Sequence, residues 1–243
     1  PAGPAARMLS VQADSDTQTW RLTPTDGQPV PAGTYRLQLA YTGGVQAVDS
    51  GLYKSPHRAF GQPAQMLATQ LEAVFARLLF PGFDEPAFRS VFELTVRAPR
   101  GHEVLSNMPL ADRRDDGAQV VHRFEPTPPM PSYLVAVAVG RFDRLEGRAD
   151  GVPLRIFTAP GKRDLATYAM RTTEQLLPYY SRYFGVPYAL PKLDQLAVPS
   201  GRSGAMEDWG LISYAESLLL FDPAISSPER QRRIFGIVAH EVG

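Results

Sequence analysis

The sequence predicts a mixed fold, a β-rich first part followed by an α+β second part, and three observations carry that prediction. Apolar residues alternate with a period of two in run after run through the first 150 residues. A long run with helical spacing begins near residue 162. A second, amphipathic, helix-like run occupies residues 226–243. A chain of 243 residues has room for two domains or for one large β-rich domain. The change of period places a boundary near residue 150, giving a β domain over 1–150 and the beginning of an α+β domain over 151–243.

In the first part, "TYRLQLAY" (34–41) puts Tyr35, Leu37, Leu39 and Tyr41 on one face of a strand. "SVFELTVRAP" (90–99) sets Phe92, Leu94 and Val96 against Glu93, Thr95 and Arg97. "QVVHRFEP" (119–126) and "SYLVAVAVGRF" (132–142) follow, and Pro and Gly punctuate the runs as a sandwich or barrel requires. Composition changes at "RLEGRADGVPLRIFTAPGKRD" (144–164). The next run, 162–185, carries Leu165, Ala169, Leu176, Tyr180 and Phe184 at helical spacing; Pro178 should kink or split it and Gly185 should end it. Two strand-like pieces, "LDQLAVP" (193–199) and "LISYAE" (211–216), precede the last helix. There Ser226 and Glu229 fit a capping box and Pro228 suits the first turn. Ile234, Ile237, Val238 and Val242 form its buried stripe.

Bulk properties exclude several function classes. Hydrophobic residues at 44% and charged residues at 21% suit a globular protein with a real core. Lys+Arg and Asp+Glu are both 25, so the basic excess of a nucleic-acid binder is missing. The longest apolar run, "YLVAVAVG" (133–140), is too short to cross a bilayer. The opening "PAGPAARMLSV" lacks the apolar stretch of a signal peptide. With no cysteine, disulfides, thiolate metal sites and cysteine nucleophiles are excluded, while cytoplasmic, periplasmic and secreted locations all stay open. His57, His102 and His122 read as structural, the first two in turn sequence and the third in a strand.

The fourth histidine is different. "IFGIVAHEVG" (234–243) places His240 and Glu241 side by side in an apolar helical run. Histidines at i and i+4 on one helix face can hold one zinc, with a Glu after the first placed to take a proton from water. Only the first His and the Glu lie within the sequence. Alone, a His-Glu pair is a weak signal.

"GAMEDWGLISY" (204–214) is the second signal. It resembles the Gly-Ala-Met-Glu-Asn exopeptidase motif of the gluzincin zinc aminopeptidases, the aminopeptidase N family. Further segments match that family in order: "GLYKS" (51–55), "ATQLEAVFARLLFPGFDEPAFRSVFELTV" (68–96, with Gly82 where Cys is usual), "LSNMP" (105–109), "TPPMPSYLVAVAVG" (127–140) and "YFGVPYALPKLDQLAVP" (183–199). The resemblance covers the chain from about residue 50 onward. It implies a saddle-like all-β sandwich followed by the first part of a thermolysin-like catalytic domain. It also implies that the chain is a piece, truncated inside the His-Glu-x-x-His motif and inactive by itself.

The resemblance implies roles residue by residue. His240 matches the first zinc ligand, one zinc serving each complete enzyme, and Glu241 matches the general base. Glu207 and Glu72 match the two glutamates that hold a substrate's free α-ammonium. Gln70 and Met206 line the pocket for its first side chain. Gly204 and Ala205 lack bulk, so a peptide can lie along their backbone as an added strand. The expected partner is therefore a peptide with a free N-terminus, and neither nucleic acid nor a membrane. Asp208 stands where Asn is usual; the expectation is added negative charge that raises a neighbouring carboxylate's pKa, with Arg202 as an offset. Two other readings stay open. One is an epoxide hydrolase-aminopeptidase of the leukotriene hydrolase type, which typically has Gly-Gly-Met-Glu-Asn, so Ala205 speaks against it. The other is a non-catalytic relative serving as an interaction scaffold, against which Glu72, Glu207, His240 and Glu241 speak together.

Overall fold

The computed structural model describes residues 6–243, and the first five residues of the expected 1–150 domain lie outside it. The chain divides into two compact units, one ending at Thr42 and one spanning Gly43–Gly243. In the first, β1 (Leu9–Asp14) and β2 (Thr19–Pro24) form an antiparallel hairpin. Its turn is made by Asp14, whose carboxylate accepts the amides of Asp16 and Thr17 at 2.9 and 3.1 Å. The strand expected over 34–41 is not formed. The segment is irregular, with Tyr35, Leu37 and Tyr41 exposed, and no strand pairs with it among the described residues. Alternation alone cannot make a strand where no neighbouring ladder takes up its backbone groups.

The second unit holds three sheets. β3 (Gly51–Ala59), β4 (Gln62–Gln70), β6 (Glu103–Ser106) and β9 (Val137–Gly140) form an antiparallel sheet in the order β3-β4-β9-β6. β5 (Thr95–Pro99), β7 (Leu110–Asp116) and β8 (Gln119–Phe124) form a second, in the order β5-β8-β7. The run over 90–99 thus becomes a ladder only from Thr95; before it, Ser90 bridges Met130. His122 lies in a strand, β8, as expected, and is buried there; His57 lies within β3 and not in a turn.

The third sheet is mixed. It contains β10 (Asp143–Ala149), β11 (Val152–Thr158), β12 (Leu193–Val198), β13 (Ala205–Met206) and β14 (Leu211–Ala215), in the order β10-β11-β12-β14-β13. β11, β12 and β14 run parallel, and β11 reaches β12 through helix α1 (Thr167–Phe184), a βαβ crossover. All six residues of β12 are buried, as a central parallel strand requires. Pro178 does not split α1. The bond it forfeits is one among many, and Leu176 and Leu177 beside it are anchored in the core. Gly185 ends the helix in the left-handed conformation, φ 70°.

Helix α2 (Pro228–Val242) is capped one residue later than its sequence suggests. Ser227 accepts the Arg230 amide at 3.2 Å, while the Ser226 hydroxyl accepts the Asp222 amide instead. Pro228 takes the first helical position. Ile234 and Val238 are fully buried against α1 and the third sheet, with Ile237 and Val242 half-buried beside them. Burying each such side chain contributes about 1.5–3 kcal/mol. The Tyr180 hydroxyl of α1 donates to the Ala239 carbonyl at 2.7 Å, tying down the last turn of α2.

Candidate active site

Between β12 and β14 the chain leaves the sheet, returns as β13, and turns back through 207–210. Residue Gly210 closes that turn at φ 75°, and the Leu211 amide donates to the Asp208 carbonyl at 3.1 Å. Any Cβ on Gly210 would overlap the Asn107 carbonyl oxygen, so the position is closed to other residues. Two buried side chains pin the turn. Asn107 donates its amide to the carbonyls of Trp209 and Leu134 at 2.8 and 2.7 Å and accepts the Ala136 amide at 2.8 Å. Lys192 donates to the carbonyls of Gly210 and Ser106 at 2.6 and 2.8 Å and pairs with Asp194 at 2.8 Å. Burial pulls its amine down to about 8, against the pull of Asp194. Arg155 forks onto the same Asp194 carboxylate, with both bonds at 2.6 Å.

These contacts fix β13 at the edge of the sheet. Ala205 pairs with Tyr214 and Met206 with Ser213. The outer edge of β13 pairs with no strand among the described residues. A Cβ on Gly204 would meet no protein atom within 4 Å, so its lack of bulk leaves open space beside the edge. Met206 is buried, and Gln70, the last residue of β4, reaches its sulfur at 3.8 Å. Arg202 donates to the side-chain Oε1 of Gln70 at 2.6 Å.

The carboxylates meet around this edge. Glu72 and Glu207 are exposed and Glu241 is half-buried, with its Oε2 buried and unpartnered. Burial raises the Glu241 carboxyl above its ordinary range; Glu207 and Glu72 raise it further, while His240 and Arg202 oppose them. Glu72, Glu207, Arg202, His240 and Glu241 therefore share one electrostatic neighbourhood. Asp208 behaves otherwise than its sequence position suggests. It is 3% exposed, and burial pushes its own carboxyl well above the usual range; Arg202 opposes the rise, as expected, and Glu207, Glu72 and Glu241 add to it. The carboxyl raised here is that of Asp208 itself, at the position where Asn is usual, and burial is the main cause. Tyr214, fully buried with an unpartnered hydroxyl, is raised by burial and then by Glu241.

All the residues expected at the site except Gly204 and Ala205 contribute a side-chain contact or a charge to this neighbourhood, and those two supply the strand edge. The sequence reading assigned no role to Asn107, Lys192 or Tyr214. "LSNMP" and "LPKLD" were visible as segments, but nothing local tells that Asn107 and Lys192 hold a turn about a hundred and about twenty residues away. As for a metal, His240 is exposed at the end of α2, and no three His, Asp or Glu side chains converge to hold an ion among the described residues. Zinc takes about three protein ligands in a catalytic site. One histidine does not meet that requirement.

Comparison with known proteins yields two family matches. Residues 6–134 match the peptidase M1 N-terminal domain, and residues 168–243 match the peptidase family M1 domain. The chain is 40% identical over 216 residues to an aminopeptidase N of Acetobacter pasteurianus, covering 88% of this chain and 61% of that protein. It is 36% identical over 217 residues to aminopeptidase M1 of Arabidopsis thaliana, covering 89% of this chain and 25% of the relative. Glutamyl aminopeptidase of Mus musculus is 38% identical over 224 residues, covering 91% of this chain and 23% of the relative. The chain thus spans between about a quarter and three-fifths of the length of these relatives.

Proposed function

The chain belongs to peptidase family M1, and on that premise we infer that it contributes the amine-binding and proton-transfer groups of a zinc-dependent aminopeptidase. Its substrates are peptides with a free N-terminus. What supports this most is the shared neighbourhood of Glu72, Glu207 and Glu241 beside an unpaired strand edge. A cation beside a metal centre needs carboxylates, and two exposed glutamates from different parts of the chain supply them. The substrate backbone adds to the edge of β13, and its first side chain lies toward Gln70 and Met206. Division into a β domain ending near residue 150 and a catalytic domain after it belongs to the same reading; the two family matches stop at 134 and resume at 168.

Glu241 holds the proton chemistry. Its raised carboxyl suits a group that takes a proton from water and returns it to a leaving amine. Zinc, when bound, polarises the scissile carbonyl and activates the water. His240 is one ligand for it, and a full site requires ligands additional to these residues. The experiment is turnover of an aminoacyl reporter by the complete enzyme before and after chelation, with wild type and Glu241→Gln. Loss on chelation, recovery with zinc, and a dead Glu241→Gln that still binds peptide are expected. Turnover that survives either treatment would overturn the reading.

A further inference from the structure

A cavity lies beyond the residues proposed to touch the peptide, on the far side of the Asp194 and Ser106 contacts that hold the 207–210 turn. In β7 and β8, Arg113 stands directly opposite His122, so the two side chains leave the same face of their sheet. That face, together with β6 and the β10–β12 sheet, bounds a cavity of about 370 Å³. Ligand pockets run from about 300 to 1,000 Å³, so this one suits a small molecule.

Much of the charge around it is already compensated. Arg155 is bound to Asp194, and Arg144 pairs with Glu146 at 2.9 Å. Arg113 and Glu103 are left. Both line the cavity without an ion pair or side-chain hydrogen bond among the described residues; Arg113 is exposed, and Glu103 is half-buried and also acts on Arg155. They act on His122 with opposite sign, so it feels both. His122 is 3% exposed, and its Nδ1 is buried without a hydrogen-bond partner, as is the Nδ1 of His102 on the same cavity. Buried polar atoms are normally satisfied; the His122 ring also lies within reach of the Val120 and Val96 backbone, whereas the Nδ1 of His102 has no partner among the described residues.

An anion alone would meet Glu103, and a cation alone would meet Arg113. A molecule with both charges leaves neither uncompensated. We propose that this cavity binds a small zwitterion of the α-amino acid class, its carboxylate at Arg113, its ammonium at Glu103, and a hydrogen bond to His122. This assignment stands apart from the peptidase reading, since none of Gln70, Glu72, Glu207, His240 or Glu241 lines the cavity.

The test is calorimetric titration of the chain with free L-leucine, leucine amide, N-acetyl-leucine and sodium acetate. It is run in a Glu72→Gln/Glu207→Gln background, which silences the other amine site. Saturable binding of leucine is expected, weakened at least tenfold when either charge is removed from the ligand. Arg113→Gln and Glu103→Gln should each weaken leucine to a similar degree. If a variant fails to fold, the imidazole NMR signals of His122 in the otherwise unmodified chain decide: they should shift with leucine and not with acetate. No saturable binding, equal binding of leucine and acetate, or leucine binding indifferent to both variants would overturn the proposal.

Discussion

Replacing Asn107 with Ala should unfold the molecule at markedly lower denaturant, because three hydrogen bonds converge on one buried side chain. The substitution orphans the Ala136 amide and the carbonyls of Leu134 and Trp209. Trp209 is half-buried, so water can reach its carbonyl at small cost. Leu134 and Ala136 are 4% and 3% exposed, and their orphaned groups stay dry. A buried group left unsatisfied costs about 1–3 kcal/mol, so two such groups and a partly compensated third give a loss of about 3 kcal/mol. With a urea slope near 3 kcal/mol/M, the upper value for small proteins, the midpoint falls by about 1 M. Asn107→Asp is the sharper control. It keeps an acceptor for the Ala136 amide but turns an oxygen toward two carbonyl oxygens, so it should be no milder than Ala despite its shape. The assay is urea unfolding followed by circular dichroism. A midpoint for Asn107→Ala within about 0.2 M of wild type, or full stability in Asn107→Asp, would refute the reasoning.

Other consequences follow from the same turn and its neighbours. Gly210→Ala meets both a left-handed backbone and the Asn107 carbonyl; the conformation alone costs about 1–2 kcal/mol, and the overlap adds to it, so thermal unfolding should come several degrees lower. Asp208 has a folded pKa raised above its unfolded one, so the folded state keeps a proton that the unfolded state loses. Its contribution is fully present below the unfolded value and declines as pH rises from about 4 toward the folded value, at about 1.4 kcal/mol for each tenfold difference in proton affinity. Asp208→Asn should remove that decline and be the more stable chain at pH 7, measured by urea midpoints between pH 4 and 8. Tyr180→Phe removes a bond to a carbonyl that the Gly243 amide also reaches, so a loss of only about 0.5–1.5 kcal/mol is expected from the same unfolding assay.

What could be read in advance was whatever the chain encodes locally. The strand at 193–198, the long helix closed by Gly185 and the stripe of Ile234 and Val238 follow from pattern and punctuation, whereas the burial of Asp194 and Gln195 in that strand does not. The segment 34–41 has the same alternation and forms no strand, since pairing is supplied by another part of the chain and not by the strand itself. Ser226 and Ser227 compete for one cap, and the backbone entry into α2 decides between them. At the site, His240, Glu241 and the 204–207 segment stood out as motifs. Asn107 and Lys192 did not, because their work is done on the 207–210 turn, far from their own positions in sequence. The raised pKa of Asp208 depends on burial that no neighbouring residue announces.

Glu72 and Glu207 are proposed to grip the substrate's free ammonium, and N-acetylation of the substrate removes what they would grip. The measurement is kcat/KM of the complete enzyme for one aminoacyl reporter and for its N-acetyl derivative, in wild type and in Glu207→Ala. Glu207 is exposed in the free chain; once bound peptide shields the pair from water, losing one partner costs about 2–5 kcal/mol, or about 30- to 1000-fold or more in kcat/KM. A loss of that size is expected on acetylation in wild type, and a similar loss for the free-amine substrate in Glu207→Ala. Equal kcat/KM for the free and acetylated substrates in wild type would contradict that role for the two glutamates.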